Sequence, residues 1–350
     1  MKKLPVNLDT LPIAMKKLLI ALAAMGFLLT SCQLMDRGPQ VVSIRGVVFG
    51  TYYSVLYYDE EGTVYQEAID SLFDVINRSM SFYDPNSLLS RVNRNEESLL
   101  DEHFMAVFSR AQEVSVETDG AFDATVFPLV SAWGFGFENR QELNQEKIDS
   151  ILDFVGYQKV WTADGHLVKE DERVQLDFNA IAKGYAADVV GLFLASQGID
   201  AYMVEIGGDL VARGVKPDGS PWRIGLEIPA PEADAPQEWD YFVEMENQGL
   251  ATSGDYRRYY VEDGQRLSHT IDPSSGGPVS HQLMSASVFA PDAMSADAYA
   301  TAFMVMGLQA SIRFVEGRDD LEAYLIFADE QNGFGYYAST GLQLLTRDDL

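Results

Sequence analysis

The stretch Leu176-Asp-Phe-Asn-Ala-Ile-Ala-Lys-Gly-Tyr-Ala-Ala-Asp-Val-Val190 constrains the fold more than any other part of the chain. It reads as the end of a strand (Val174-Gln-Leu176), an acid, a turn of small residues and then a helix. The helix follows from Ile181, Tyr185, Val189 and Leu192, apolar residues three and four positions apart. A strand that turns directly into a helix aims backbone N–H groups at one point, which suits an anion such as phosphate. Lys183, in the first helical turn, adds a positive charge at the same place. An ordinary βα connection with Lys183 on a solvated face accounts for the same residues. This stretch alone leaves both readings standing.

Charge narrows the partners. The formal net charge of −28 argues against nucleic acid, whose phosphates need Lys and Arg. An anionic ligand on such a chain requires a local remedy: a metal ion, a helix N-terminus, or a few placed cations. With 350 residues and 47% of them apolar, a sizeable core is available and global disorder is excluded.

The N-terminus reads as a targeting segment. Lys16-Lys17 precede the apolar run Leu18–Leu29, 12 residues that fit a signal-peptide core and are too few to span a bilayer. Leu29-Thr30-Ser31-Cys32 then resembles the bacterial lipoprotein signal, in which the cysteine is lipidated and becomes the mature N-terminus. The competing reading is a chance Cys after an apolar run. Cys32 is the only cysteine, so a disulfide within the chain is impossible. Met15 followed by Lys-Lys has the shape of a true start. The expected organisation is a leader over 1–31, a tether over 32–40 and a single catalytic unit over 41–350.

Beyond the tether, Val41–Tyr58 reads as one or two strands broken at Phe49-Gly50-Thr51. Helices are expected over Val64–Asn77, Phe104–Val116, Asn144–Val155 and Pro291–Gly307, with Met80–Asn93 as a loop carrying Tyr83. Ala201–Ile206, Trp222–Ile228, Tyr241–Glu246, Leu250–Thr252 and Glu322–Ala328 read as strands. Pro229–Gln237 reads as an acidic surface insertion. Hairpin-like strands with inserted helices indicate an α+β fold with mixed or antiparallel sheets, not a doubly wound one.

Three local patterns carry chemistry. Gly207-Gly208-Asp209 is followed by Leu-Val-Ala-Arg, a further strand, which rules out the dinucleotide fingerprint and leaves a hairpin turn. Ser253, His269 and Asp272 invite a hydrolase reading, but no G-x-S-x-G elbow exists, and two polar turns explain them as well. His269 is still the best general-base candidate of the four histidines. Asp297 and Thr301 lie four apart on a helix of small and apolar residues, so they share one face and are buried. A buried Asp needs a partner, and no Lys or Arg occurs between Pro291 and Ile312. A hard cation held by oxygen ligands, Mg²⁺ or Ca²⁺, supplies one, and a hydrogen bond within the core supplies another.

Taken together, Asp177–Tyr185, Ile206-Gly-Gly-Asp209, Ala251-Thr-Ser-Gly-Asp-Tyr256, Ser268-His-Thr-Ile-Asp-Pro273 and Ala296-Asp-Ala-Tyr-Ala-Thr301 resemble the ApbE family of FAD:protein FMN transferases. Met80–Asn93 and Asp119-Gly-Ala-Phe-Asp123 complete the set, in the family's order, across nearly the whole chain. The resemblance implies an ApbE-type, T-fold-like architecture with FAD in a central cleft. It implies Mg²⁺ beside the pyrophosphate, transfer of FMN to a Thr or Ser of an exported flavoprotein subunit, and release of AMP. Hydrolysis of FAD to FMN and AMP, or non-catalytic flavin binding, are its alternatives. The metal ligands it implies are Asp297, Thr301 and the carbonyl of Ala180. Phe49, Tyr83, Ala121, Phe122, Asp123, Asp177, Lys183, His269 and Ile271 are the implied nucleotide-site residues. Among them Phe49 packs on the flavin, Tyr83 bounds the adenine end, Asp123 or Asp177 accepts from ribose or adenine, and Lys183 faces the phosphates. His269 takes the proton of the acceptor hydroxyl, and Cys32 anchors the protein to a membrane facing the periplasm. Asn179 stands where many relatives have Gly or Ser, and Phe49 where Met is commoner.

Overall fold

Period-two runs of β-branched and aromatic residues pair into one large sheet. A computed structural model describes residues 38–135, 143–227, 239–254, 259–262, 265–329 and 333–349, with residues 12 and 14. Its strands are β1 (Gln40–Val48), β2 (Thr51–Asp59), β5 (Tyr202–Ile206), β6 (Asp209–Arg213), β9 (Gln248–Gly254), β12 (Leu283–Ala290), β13 (Glu322–Asp329) and β14 (Gly333–Ala338). They lie in the order β1-β2-β5-β6-β9-β12-β13-β14, and every neighbouring pair is antiparallel. Three small hairpins stand apart: β3 (Val160–Ala163) with β4 (His166–Lys169), β7 (Trp222–Glu227) with β8 (Trp239–Met245), and β10 (Tyr259–Glu262) with β11 (Gln265–Ser268).

The sheet is covered on both faces, and side-chain alternation shows which residue serves which. In β13, Ala323 and Leu325 join the main core, while Tyr324 and Ile326 join a second one. The main core fills the face under α6 (Ala182–Ser196) and α7 (Ala293–Met306). The opposite face is closed by the β7–β8 hairpin, whose Trp222, Val243 and Met245 are buried against Leu210, Leu250 and Phe289. Burial on both faces explains why β12 reads as a nearly continuous run of buried residues. Around the main core lie α1 (Gln66–Met80), α2 (Leu88–Asn93), α3 (Glu102–Glu117) and α8 (Leu308–Val315), while α4 (Phe127–Ala132) and α5 (Gln145–Leu152) pack on a small third core.

Three expectations need correction. Val174–Leu176 is not a strand. The carboxamide of Asn93 accepts from Leu176 N and donates to Leu176 O, both at 2.8 Å, so one side chain replaces a neighbouring strand. Met80–Asn93 is not wholly a loop, because Ser87 caps a short helix, α2, by accepting from Ser90 N. Leu192 is not on the buried face of its helix; it is 64% exposed, and Val190 and Leu194 take the core positions. The leader over 1–31, Cys32, the insertion at Pro229–Gln237 and Asp255-Tyr256 lie outside the described residues. Among the described residues no helix is long and apolar enough to cross a membrane.

Candidate active site

Two tight turns lie side by side at one end of the sheet. Phe49 and Gly50, with φ of 50° and 75°, make the two-residue turn between β1 and β2. A bulky aromatic in that region is strained, which is characteristic of functional positions. Here the Phe49 ring lies edge-on to Phe73, centroids 5.8 Å apart. Gly207 and Gly208, with φ of 60° and 98°, make the turn between β5 and β6. Gly207 N donates to Tyr52 O, and a β-carbon on Gly207 would lie 2.8 Å from the Thr51 side chain. The flavin-side aromatic expected at residue 49 and the first residue of β6, Asp209, are thereby brought to one place.

Helices α6 and α7 then close over this end. Their contact is backbone on backbone: a β-carbon on Gly184 would lie 2.1 Å from Ala293 O, and one on Gly249 of β9 would lie 2.3 Å from Ala293 N. Asp188, one turn along α6, accepts from Ala293 N at 3.0 Å and Met294 N at 2.8 Å, two donors that the helix itself leaves unpaired. Asp292 caps the same helix by accepting from Ser295 N. Burial, helped by the charge of Asp292, pushes the Asp188 carboxyl up to about 7.

This packing delivers Asp297 to Lys183. The Lys183 ammonium is 2.7 Å from Asp209 Oδ2, 3.3 Å from Asp297 Oδ2 and 3.4 Å from Asn179 O. Gly184 N also donates to Asp297 Oδ2 at 3.3 Å. Asp209 and Asp297 are 3% exposed, so two buried carboxylates share one ammonium. Asp209 Oδ2 finds no well-directed hydrogen bond among the described residues and relies on the ion pair. Burial and the neighbouring Asp297 push Asp209 up to about 7 against the pull of Lys183. Burial alone would lower Lys183, but Asp209 and Asp297 outweigh it and hold the ammonium above its usual range. Asp177, at the mouth of the same turn, accepts from Asn179 N and is pushed up to about 6 by burial.

Thr301 completes the arrangement, with its hydroxyl 3.3 Å from that of Ser253 on β9. The partner that Asp297 lacks in its own helix is therefore Lys183, 114 residues away. A single ammonium does not neutralise Asp209, Asp297 and the nearby Asp177, and the donors around it are all oxygen: carboxylates, a hydroxyl, and the carbonyls of the Asn179-Ala180 turn. That set fits a hard cation of the Mg²⁺ kind, although among the described residues no three His, Cys, Asp or Glu side chains converge for one.

The remaining expected residues divide. Tyr83 is 66% exposed and stacks obliquely on Phe82, centroids 4.0 Å apart. Ala121 is half-buried, whereas the Phe122 ring is turned into the main core by the Asp119-Gly120 turn before it. Asp123 is committed to its own chain: Oδ1 accepts from Thr125 N and Oγ1, and Oδ2 from Tyr157 N. Of the two acids expected to meet ribose or adenine, Asp123 thus has both oxygens engaged within its own chain. His269 is half-buried just after β11, and Ile271 packs with Leu129 and Val155 in a small third core while bridging Pro278.

Comparison with known proteins decides the relationship. The family model described as "ApbE family" matches residues 49–325. The chain belongs to the ApbE family. It is 35% identical over 338 residues to the FAD:protein FMN transferase of Vibrio cholerae serotype O1, covering 94% of this chain and 98% of that one. Among solved structures it is similar to the flavin transferase ApbE from Vibrio cholerae, with a TM-score of 0.77, 35% identity and coverage of 86% and 98%. The apo form of the Pseudomonas stutzeri flavinyl transferase ApbE gives a TM-score of 0.78 at 32% identity, with coverage of 87% and 97%.

The ApbE match takes in every candidate residue from Phe49 to Thr301 and stops short of Cys32. The sequence names Asp209 only as part of the Gly207-Gly208-Asp209 turn and does not announce it as the partner of Lys183, Ser253 as a neighbour of Thr301, or Asp188 as the clasp of α7. For Asp209 the available signal was the acid directly after Gly207-Gly208, ahead of the apolar run Leu210-Val-Ala212.

Proposed function

We propose that this chain transfers FMN from FAD to a Thr or Ser hydroxyl of an exported flavoprotein subunit, releasing AMP, with Mg²⁺ at the site. The observation that carries this reading is the buried pair Asp209 and Asp297 around the Lys183 ammonium, beside Thr301 and the Asn179-Ala180 turn. It is an undercompensated negative pocket in a strongly acidic chain, which only a cation makes hospitable to a pyrophosphate.

In the proposed reaction the acceptor oxygen attacks the FMN-side phosphorus of FAD. The new bond joins that oxygen to phosphorus, and the pyrophosphate bridge breaks. AMP leaves with the bridging oxygen and its electron pair. The free hydroxyl is a poor nucleophile, and His269 would accept its proton. Asp297, Thr301 and the Ala180 carbonyl would hold Mg²⁺, which withdraws charge from the phosphates when bound. Phe49, fixed by its turn and by Phe73, would offer a ring edge to the flavin, and Tyr83 an exposed face at the adenine end. Asp177 would accept a hydrogen bond from the ribose or adenine. The Lys16–Cys32 pattern supports a lipid anchor that holds this chemistry at a membrane in the bacterial envelope, facing the periplasm.

The test is incubation of the purified protein with FAD, Mg²⁺ and a flavoprotein subunit bearing the acceptor hydroxyl. Mass spectrometry should find an FMN adduct on that residue, with AMP formed in equal amount. Free FMN and AMP without adduct would replace the transferase by a pyrophosphatase; unchanged FAD would leave only binding.

A further inference from the structure

We propose that Lys183 is a tethered competitor for the cation at Asp297, and that Asp209 is the residue that retains it when the cation arrives. The proposal rests on the metal reading above.

The geometry carries the argument. The ammonium touches the carboxylate expected to bind the metal, Asp297 Oδ2 at 3.3 Å, and the carbonyl of Asn179 at 3.4 Å, next to the expected carbonyl ligand Ala180. It therefore occupies one expected ligand oxygen, that of Asp297, and stands one residue from a second. Its closest contact is nevertheless elsewhere, with Asp209 Oδ2 at 2.7 Å. Asp209 Oδ2 has no well-directed hydrogen bond among the described residues, so it is fitted to take the ammonium alone. Two acids around one ammonium form a relay with two settings. Without a cation, Lys183 spans both acids and offsets their repulsion. With one, Asp297 turns to the metal and Lys183 stays on Asp209, no longer spanning the gap, and its charge becomes available to a phosphate.

This makes Asp209 a positioning residue that lowers the cost of freeing Asp297. A purely long-range effect of the Lys183 charge would not depend on Asp209, whereas retention does. The two therefore differ in how the substitutions combine.

The experiment is calorimetric titration of MgCl₂ alone into the native protein and into the Lys183→Met, Asp209→Asn, Asp297→Asn and Lys183→Met/Asp209→Asn variants, each checked for native unfolding behaviour. Lys183→Met is expected to bind Mg²⁺ at least about tenfold more tightly than native, from removal of a unit charge at close range. Asp209→Asn is expected to bind more weakly, because Lys183 then has only Asp297. The gain from Lys183→Met should be about threefold or more larger in the Asp209→Asn background than in the native one. Lys183→Gln should repeat the gain and replaces Lys183→Met if the latter is poorly folded. No gain would overturn the competitor role, and equal gains in the two backgrounds would overturn retention by Asp209, while binding lost in Asp297→Asn upholds the metal site. Native-like binding in Asp297→Asn would instead remove the metal site itself, and the proposal with it.

Discussion

Gly184 and Ala293 approach so closely that a β-carbon on the first would lie 2.1 Å from the carbonyl oxygen of the second. No rotamer change relieves that clash, because both partners are backbone. The contact sets the distance between α6 and α7, and with it the reach of Lys183 to Asp297. Gly184→Ala is expected to push the helices apart, destabilise the fold by about 3 kcal/mol, and lower activity beyond what the stability loss explains. Denaturant unfolding and turnover measured on the same preparation check this. Native-like values for both would show that the helices slide freely.

Asp188 grips the start of α7, and its pH behaviour follows from its surroundings. Burial and Asp292 raise its folded value to about 7 from the ordinary 3.8. A raised acid contributes stability that is full below its unfolded value and is lost as pH rises through its folded one. The loss falls in the window from about 4 to about 7 and is complete just above it. Between pH 6 and 8 this single group should reduce unfolding free energy by about 1 kcal/mol. Asp188→Asn keeps the size and cannot titrate, so its stability should fall less over that interval than the native protein's. Denaturant midpoints at the two pH values give the comparison, and parallel slopes would contradict it.

Much of the fold was legible because its signals are local. Alternation along Tyr202–Ile206 marked β5, and the spacing of Ile181, Tyr185 and Val189 marked α6. Asp297 and Thr301, four apart, announced a shared helix face and a burial problem. What failed depended on distant partners. Leu176 resembles a strand residue because Asn93, 83 positions earlier, bonds it like one. Asp123 is as acidic in sequence as Asp177, yet Thr125 and Tyr157 consume its oxygens. The role of Asp209 appears only when α6 and α7 are packed, since nothing within its own strand calls for an ammonium.

Asp297 is expected to be indispensable to Mg²⁺-dependent turnover. Asp297→Ala removes a buried carboxylate that Lys183 and Gly184 N both meet. The expected loss in kcat is at least about a hundredfold, the scale of losing a placed charge at a transition state. Steady-state assay across a Mg²⁺ series measures it. Retention of full activity would reject the ligand assignment.

His269 is expected to act on the proton of the acceptor and not on FAD binding. His269→Ala should slow FMN transfer by about a hundredfold while FAD affinity, read by flavin fluorescence, changes little. Equal losses in the two would make it a binding residue. The pH profile separates the cases further, because only a base leaves an acidic limb that disappears in the variant.

The proposed anchor would be separable from the catalytic unit on physical grounds. The ApbE match begins at Phe49 and β1 begins at Gln40, so Cys32 precedes both in the sequence. A lipid on residue 32 would hold the protein at a membrane surface without touching Asp297, Lys183 or His269. One acyl chain gives only marginal attachment, and stable anchoring needs more than one such signal, as a multiply acylated N-terminal cysteine would provide. Cys32→Ser is therefore expected to move the protein from the membrane to the soluble fraction while purified turnover stays at the native level. Fractionation of cells expressing the two forms, followed by the FMN-transfer assay on each fraction, tests both halves. Membrane retention of Cys32→Ser would mean that the apolar run Leu18–Leu29, and not a lipid, holds the chain.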